Sequence, residues 1–321
     1  MEEAIKKFNT QFEWKPVVEN ESALPRQKRV VLGGMGGSHL AGGLFQALRP
    51  EVPFFIHRDY GLPALLPSDL KESMYIADSF SGNTEEAVDF AEKALSKRLS
   101  VTVIAKGGKL LEFAQKHKLP HVVLPPTKIQ PRSGLGFQIL ALAALLHDAP
   151  LLKELSKLTT ILKPALLERQ GKALVESLRG SIPVIYSSTR NQSLAYNWKI
   201  KMNETGKIPS FYNVFPELNH NEMTGFDTIE TTEGLSRKLH FIFLTDSTDH
   251  PQIQKRMRVC KKLYEERGIA VSIVPLKGKS VLEKIFTSLL IADWTALHLS
   301  KLYKTEAEQV PMVEEFKRLI A

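Results

Sequence analysis

The chain has almost none of the residues that build disulfide frameworks and thiolate metal sites. Cys260 is the only cysteine among 321 residues, which excludes an intramolecular disulfide and any zinc or iron–sulfur site built on paired cysteines. Long apolar runs are also missing, because the most apolar stretch, residues 139–146, is too short to span a bilayer. The charged first residues do not resemble a signal peptide. We therefore expect a cytoplasmic protein without a membrane segment.

The sequence has fewer acidic residues than basic residues. Lys and Arg number 43 against 35 Asp and Glu, so the formal net charge is +8. A chain this basic can bind nucleic acid, a membrane surface or an anionic metabolite. The basic residues are spread out, and the densest stretch, residues 255–262, carries no nucleic-acid-binding signature. We expect a metabolite anion as the partner, and neither nucleic acid nor a membrane.

Short apolar runs alternate with amphipathic helical stretches along the whole chain. The order strand, polar loop, helix occurs at residues 29–48 and 73–95, and again at 182–204 and 240–266. This alternation predicts an α/β fold with mostly parallel sheets, and its recurrence indicates a duplication. We expect two tandem, doubly wound, flavodoxin-like subdomains with flanking helices. The expected subdomains are residues 1–152 and 153–321.

Two polar loops in the first half each follow a predicted strand and open a predicted helix. The N–H groups and the dipole at a helix start favour an anion. The glycines of residues 33–38 (GGMGGS) let the backbone approach a ligand closely, and residues 79–84 (SFSGNT) carry three hydroxyls. Neither loop matches a Walker A or dinucleotide fingerprint, so we predict a site for a small sugar phosphate. The predicted phosphate ligands are Gly36, Gly37, Ser38, Ser79, Ser81 and Thr84.

The equivalent loop of the second half differs in charge. Residues 246–250 (DSTDH) carry two acids where the first half carries hydroxyls. Because carboxylates repel a phosphate, a single phosphate site per chain would belong to the first half.

Three further segments hold side chains suited to catalysis. Arg132, at a predicted loop-to-helix junction, can face an anionic intermediate. Glu204 ends a predicted helix, where the dipole disfavours negative charge, and this suits a group that takes up a proton. His220 lies among Asn and Glu residues and is a candidate general acid–base, but without a second His or a Cys nearby it is a poor metal ligand. Taken singly, Arg132 and Glu204 also fit ordinary exposed residues.

The loop motifs resemble those of the sugar isomerase (SIS) domain family, which binds phosphosugars at these loops. Together with three catalytic segments, they make the chain resemble the bifunctional phosphoglucose/phosphomannose isomerase family over essentially its full length. Arg132 matches the arginine of a PRxxLG-type segment, Glu204 the glutamate ahead of Gly-x-x-Pro, and His220 the histidine of E-x-x-H-N-E. The matching C-terminal lysine is Lys317, with Lys301 and Lys304 as less favoured alternatives.

The resemblance implies a reaction and a role for each residue. Glucose 6-phosphate or mannose 6-phosphate is interconverted with fructose 6-phosphate, without a metal or a nucleotide cofactor. His220, assisted by Lys317, opens the sugar ring, Glu204 moves a proton between C2 and C1 through an enediol, and Arg132 stabilises the charge on that intermediate. The resemblance also implies a homodimer in which His220 serves the active site of the neighbouring subunit.

Two alternatives stay open. A phosphosugar sensor would need the loop hydroxyls but neither Glu204 nor His220, and such modules usually accompany a further segment. The two halves leave no helix-turn-helix candidate for one. Another SIS enzyme, such as an aminosugar-phosphate isomerase or a sugar-phosphate lyase, is the second alternative, and the pairing of Glu204 with His220 argues against it.

Overall fold

The structure of the chain is a computed structural model that describes residues 1–26, 29–227 and 230–320. The chain forms two compact units. The N-terminal unit comprises residues 7–161, and the C-terminal unit comprises residues 1–6 and the chain from Leu162 onward. Helix α1 (Glu2–Lys6) belongs to the C-terminal unit, where Glu2 forms an ion pair with Lys301 at 2.6 Å. The boundary predicted after residue 152 lies within a helix, Ala149–Ile161, and stays a prediction.

A parallel sheet forms the centre of the N-terminal unit. Its strands are β1 (Arg29–Gly33), β2 (Phe54–His57), β3 (Ser73–Ser79), β4 (Ser100–Ala105) and β5 (His121–Val123). Its helices are α2 (Ser38–Leu48), α3 (Pro67–Lys71), α4 (Glu85–Ser96), α5 (Gly108–Lys116), α6 (Leu135–Leu145) and α7 (Ala149–Ile161). The strand order is β2-β1-β3-β4-β5, and every neighbouring pair is parallel. This order confirms the predicted flavodoxin-like, doubly wound fold.

Helices cover both faces of this sheet, which explains why its central strands are apolar without alternation. All seven residues of β3 are buried. On one face Tyr75 and Ala77 pack with Phe90 of α4 in the core. Helix α6 is buried nearly all round, as expected for a helix without a polar face.

The C-terminal unit repeats this architecture. Its strands are β6 (Ile182–Ser188), β7 (Phe211–Phe215), β8 (Leu239–Thr245) and β9 (Ala270–Pro275). Its further helices are α8 (Glu168–Leu178), α9 (Gln192–Glu204), α10 (Leu218–Asn221), α11 (Glu233–Ser236), α12 (Pro251–Glu266), α13 (Val281–Leu302) and α14 (Pro311–Ile320). The four strands are parallel in the order β7-β6-β8-β9. The order reproduces that of β2-β1-β3-β4, so the topology repeats as the duplicated sequence pattern predicts.

The sequence pattern does not reveal two of the strands. Both β2 and β7 are edge strands, and each has a single buried residue, Phe54 and Phe215. An edge strand that is covered on few positions has no clear apolar pattern. The sequence pattern also does not reveal the short helix α10, on which His220 lies.

Helix α13 is the longest helix and forms much of the core of the C-terminal unit. Its Asp293 accepts a hydrogen bond from Lys201 of α9 at 2.6 Å, and both side chains are buried. Within residues 1–26, 29–227 and 230–320, no helix combines the length and the apolar character needed to cross a membrane.

Candidate active site

The two predicted phosphate loops lie side by side in the structure. Strands β1 and β3 are parallel neighbours with Gly33 opposite Ala77. Both loops therefore follow the carboxyl ends of adjacent strands, on the same side of the sheet. The Ser38 hydroxyl oxygen accepts a hydrogen bond from the Phe80 N–H at 2.8 Å and is buried. This contact joins the loops into one surface, which we call the phosphate cradle (residues 34–38 and 79–84).

The hydroxyls of the second loop have different surroundings. Ser79 is fully buried, its hydroxyl donates to Thr84 Oγ1 at 2.8 Å, and its oxygen accepts the N–H groups of Gly82 at 3.0 Å and Thr84 at 3.3 Å. Ser81 is exposed and accepts only the Asn83 N–H, at 3.2 Å, among the contacts described for it. Ser79 therefore holds the shape of the loop, whereas the Ser81 hydroxyl is open to a ligand.

This difference predicts separable effects for two matched substitutions. Ser79→Ala removes the acceptor of the Thr84 N–H and the donor to the Thr84 hydroxyl, while the Gly82 N–H keeps the Ser79 carbonyl. We therefore expect it to lower the free energy of unfolding by about 1–3 kcal/mol. Ser81→Ala removes an exposed hydroxyl, so we expect unchanged stability and weaker binding of fructose 6-phosphate. Urea unfolding and calorimetric titration measure the two effects. Equal stability losses in both variants would contradict this division.

A glycine brings Arg132 to the cradle. A Cβ on Gly37 would lie 2.7 Å from the Pro131 Cβ and 2.9 Å from the Arg132 backbone nitrogen. The absence of that atom lets the 3₁₀ turn Pro131–Ser133 pack against the first loop. Gly36, one residue earlier, has a φ of +52° in the left-handed region that favours glycine.

A buried amide holds the segment that carries Arg132. Gln11 donates from Nε2 to the Ser133 carbonyl at 2.8 Å and accepts the Gly136 N–H at 3.0 Å. The Arg132 side chain is only 2% exposed. Gln11 has no sequence signal as a functional residue, since it lies far along the chain from the segment it holds. The structure thus places the predicted arginine beside the predicted phosphate loops.

Two buried titratable groups border the cradle, and burial disfavours the charged form of each. Asp78 precedes Ser79 at the end of β3, and burial raises its pKa well above the usual range. Its Oδ1 has no hydrogen-bond partner within the described ranges. His39 follows Ser38, and burial together with the charge of Arg58 lowers its pKa to about 4. Burial thus disfavours a negative charge on Asp78 and a positive charge on His39 beside a bound phosphate.

The buried carboxyl gives a pH-dependent prediction. The pKa of Asp78 is raised in the folded state, so the unfolded chain loses its proton first, and stability falls as pH rises above about 3.9. Asp78→Asn removes this loss. We expect the variant to be more stable than the wild type at pH 8, with the difference shrinking toward pH 4. Urea unfolding across this range measures it, and a pH-independent difference would contradict the assignment.

In the C-terminal unit, Glu204 lies at the amino-terminal end of the parallel strands and His220 lies at their carboxyl end. Helix α9 starts beyond the carboxyl end of β6 and runs back, so Glu204, its last residue, lies where the chain turns into β7. His220 lies on α10, just beyond the other end of β7. Five residues of strand span about 16 Å. One chain therefore does not bring the predicted base and the predicted acid–base together.

The imidazole of His220 is exposed rather than held by its acidic neighbours. Its backbone N–H donates to the Glu217 carbonyl at 2.9 Å. The Glu217 carboxylate accepts a hydrogen bond from Asn221 at 2.8 Å, and Glu222 accepts one from the hydroxyl of Tyr186. Both acids thus fix the local structure around α10, and the ring is open to a ligand or a second subunit.

The three lysine candidates differ in their surroundings. Lys317 lies on α14, a helix with no buried residue, and pairs with Glu314 at 2.9 Å. Lys301 pairs with Glu2, and Lys304 follows α13 with a φ of +55°. These contacts test no catalytic role, and Lys317 stays the predicted residue.

In the C-terminal unit, the loop that corresponds to residues 79–84 carries two carboxylates, and both accept hydrogen bonds from side chains of the protein. Ser188, at the end of β6, donates to the buried Asp249 at 2.9 Å. Asp246, at the end of β8, accepts a hydrogen bond from Lys284 at 2.6 Å. This arrangement favours a single phosphate site, in the N-terminal unit. Across the described residues, no three His, Cys, Asp or Glu side chains cluster as metal ligands.

Comparisons with known proteins show which family and which fold this chain resembles. The family described as the bacterial phospho-glucose isomerase C-terminal SIS domain matches residues 167–320. A bifunctional phosphoglucose/phosphomannose isomerase from Caldicellulosiruptor bescii is 32% identical over 91% of this chain and 89% of that protein. One from Aquifex aeolicus is 30% identical over 98% and 96%. A solved structure of a hypothetical protein from Thermus thermophilus covers 99% of this chain and 87% of its own, with a TM-score of 0.68 and 18% identity, which shows a shared fold.

Proposed function

This chain belongs to the bifunctional phosphoglucose/phosphomannose isomerase family, and from that premise we propose that it interconverts glucose 6-phosphate or mannose 6-phosphate with fructose 6-phosphate. One observation carries the proposal beyond the family. The segment of the buried Arg132 lies against a loop pair without charged side chains, because Gly37 has no side chain, and this supports the proposed phosphate site. A hexose phosphate held there has an arginine beside it to stabilise negative charge.

The phosphate anchors the substrate. It lies far from the reacting carbons, so its binding energy serves to position the sugar and not to activate it. Backbone N–H groups at the start of α2, together with Ser38, Ser81 and Thr84, are the proposed ligands. The buried Ser79 supports the loop that carries two of them.

The reaction moves protons only. His220 transfers a proton between the ring oxygen and O1, which opens the ring, and Lys317 assists. Glu204 removes the proton from C2 and returns it to C1, while the C1 carbonyl becomes a hydroxyl and the C2 hydroxyl a carbonyl. Arg132 stabilises the negative charge of the enediolate between these steps. The stereocentre at C2 disappears in the enediol, so glucose and mannose epimers both reach it.

We further propose a homodimer in which the partner subunit's His220 completes the site that contains Glu204. The topology supports this assignment, because one chain holds the two residues at opposite ends of the parallel strands. A symmetric pair of subunits exchanges such residues reciprocally, so each dimer contains two complete sites. The cytoplasmic location indicated by the sequence stays a prediction.

Mixing two inactive variants tests the shared site. Glu204→Gln and His220→Ala are each expected to be inactive alone. Coexpressed, they should recover about a quarter of the wild-type activity, since mixed dimers form about half of the population and contain one intact site each. A mixture as inactive as the two variants alone would show that both residues act from one chain.

A coupled assay with glucose 6-phosphate and mannose 6-phosphate, in excess chelator, tests the activity itself. We expect fructose 6-phosphate from both substrates. Binding without turnover of either would instead support a phosphosugar sensor. Release of ammonia or a ketose from glucosamine 6-phosphate, without turnover of the hexose phosphates, would support a different SIS enzyme.

A further inference from the structure

An arginine outside the machinery described so far lies beside the phosphate cradle. Arg58 directly follows β2, whose last residue, His57, is opposite Gly33 in the sheet. The His57 carbonyl accepts the Gly34 N–H at 3.3 Å. Because β1 and β2 are parallel, Arg58 lies at the carboxyl end of the strands, where the first loop of the cradle also begins.

The segment that carries Arg58 is anchored to the helix that opens behind the second loop. The Gly61 N–H donates to Asp89 of α4 at 2.6 Å. The His57 ring stacks on Phe90 of the same helix, with ring centroids 5.8 Å apart. One contact to the first loop and two contacts to α4 thus fix the backbone on either side of Arg58.

The guanidinium of Arg58 is exposed and acts on the cradle electrostatically. Its positive charge, after burial, is the second cause of the lowered pKa of His39, which follows Ser38. Within the described part of the chain, no acidic side chain forms an ion pair with Arg58. The adjacent Asp59 carboxylate accepts the Tyr60 N–H at 2.7 Å.

A second cation at this end of the strands is already engaged. Lys106 directly follows β4, on the other side of the cradle from β2. Its ammonium donates to the Thr127 carbonyl at 3.1 Å and lies 5.3 Å from the centroid of the Phe80 ring. Of the two cations that follow strands flanking the cradle, Arg58 is thus the one available to an anion.

We propose that Arg58 binds the phosphate of the substrate and adds a fixed positive charge to a cradle made of hydroxyls and backbone amides. The inference rests on the proposed sugar phosphate substrate and deepens it. A guanidinium offers several N–H donors in a plane that matches phosphate oxygens, so it both attracts and orients the group. Arg58 is a binding residue in this account and takes no part in proton transfer.

Two arginine variants test the proposal. Arg58→Gln is compared with Arg98→Gln, which removes the same charge from an exposed residue. Arg98 precedes β4 and so lies at the amino-terminal end of the strands, away from the cradle. We expect Arg58→Gln to weaken fructose 6-phosphate and inorganic phosphate binding about tenfold in calorimetric titrations, with less loss in high salt. Arg98→Gln should bind both as the wild type does, and Arg58→Lys should keep part of the affinity. In the isomerase assay, KM should rise and kcat stay unchanged.

The outcomes separate this inference from the proposed function. Equal affinity of the wild type and Arg58→Gln for fructose 6-phosphate overturns it, and so does an equal loss in Arg98→Gln. In another outcome, the wild type binds fructose 6-phosphate without isomerising it, while Arg58→Gln binds it more weakly. That result refutes the proposed reaction and supports the role of Arg58. An affinity loss with an unchanged salt dependence shows a structural role and overturns the inference.

Discussion

Replacing Glu204 by Gln is expected to lower kcat by about a thousandfold, because an amide cannot accept the C2 proton that a carboxylate accepts. The substitution keeps the size and shape of the side chain, so fructose 6-phosphate binding should remain close to that of the wild type. Glu204 ends α9 and is half-buried. A coupled assay for turnover and calorimetry for binding give the two values.

The matched control is Glu176→Gln. Glu176 lies on α8 of the same unit, where its exposed carboxylate pairs with Arg179 at 3.2 Å. Turnover of this variant should equal that of the wild type. If Glu204→Gln retains wild-type turnover, another group is the base and the assignment from the sequence is wrong.

Replacing Arg132 by Gln is expected to lower kcat by about 100- to 1,000-fold, the usual cost of removing one group that stabilises charge in a transition state. The enediolate carries its negative charge only during the reaction. The loss should therefore fall on kcat more than on KM, in contrast to the effect expected for Arg58→Gln.

Because Arg132 is buried, its replacement can also affect folding, and a second variant separates the effects. Arg132→Lys keeps the charge but loses the planar fork of donors, so it should retain an intermediate kcat. Thermal unfolding of both variants gives their stability. A kcat that follows the folded fraction alone would assign Arg132 a structural role.

Most of the fold was predictable from the sequence. Buried parallel strands are continuous apolar runs, and β3 and β8 each carry one followed by a polar loop and a helix. The edge strands β2 and β7 were not predictable, because few of their residues are covered. Their positions follow only from the hydrogen bonds to β1 and β6, which link residues far apart in the chain.

The candidate site was predictable where the chemistry lies in short motifs. The glycine and serine loops, which the structure joins through Ser38, are of this kind. Gln11 and Arg58 were not predictable, since each acts on segments distant in sequence and neither belongs to a motif. The placement of Glu204 and His220 at opposite ends of the parallel strands depends on β7, the strand that the sequence pattern missed.

The central claim is that Glu204 moves a proton between C2 and C1, and isomerisation in deuterium oxide tests it most directly. Glucose 6-phosphate is converted in excess chelator, and the fructose 6-phosphate is examined by NMR. A carboxylate that carries the proton exchanges it with solvent, so deuterium should appear at C1 and accumulate with repeated turnover. Fructose 6-phosphate formed by the wild type without any deuterium at C1, even after repeated turnover, would match direct hydride transfer between the carbons and contradict a proton carried by an exchanging carboxylate.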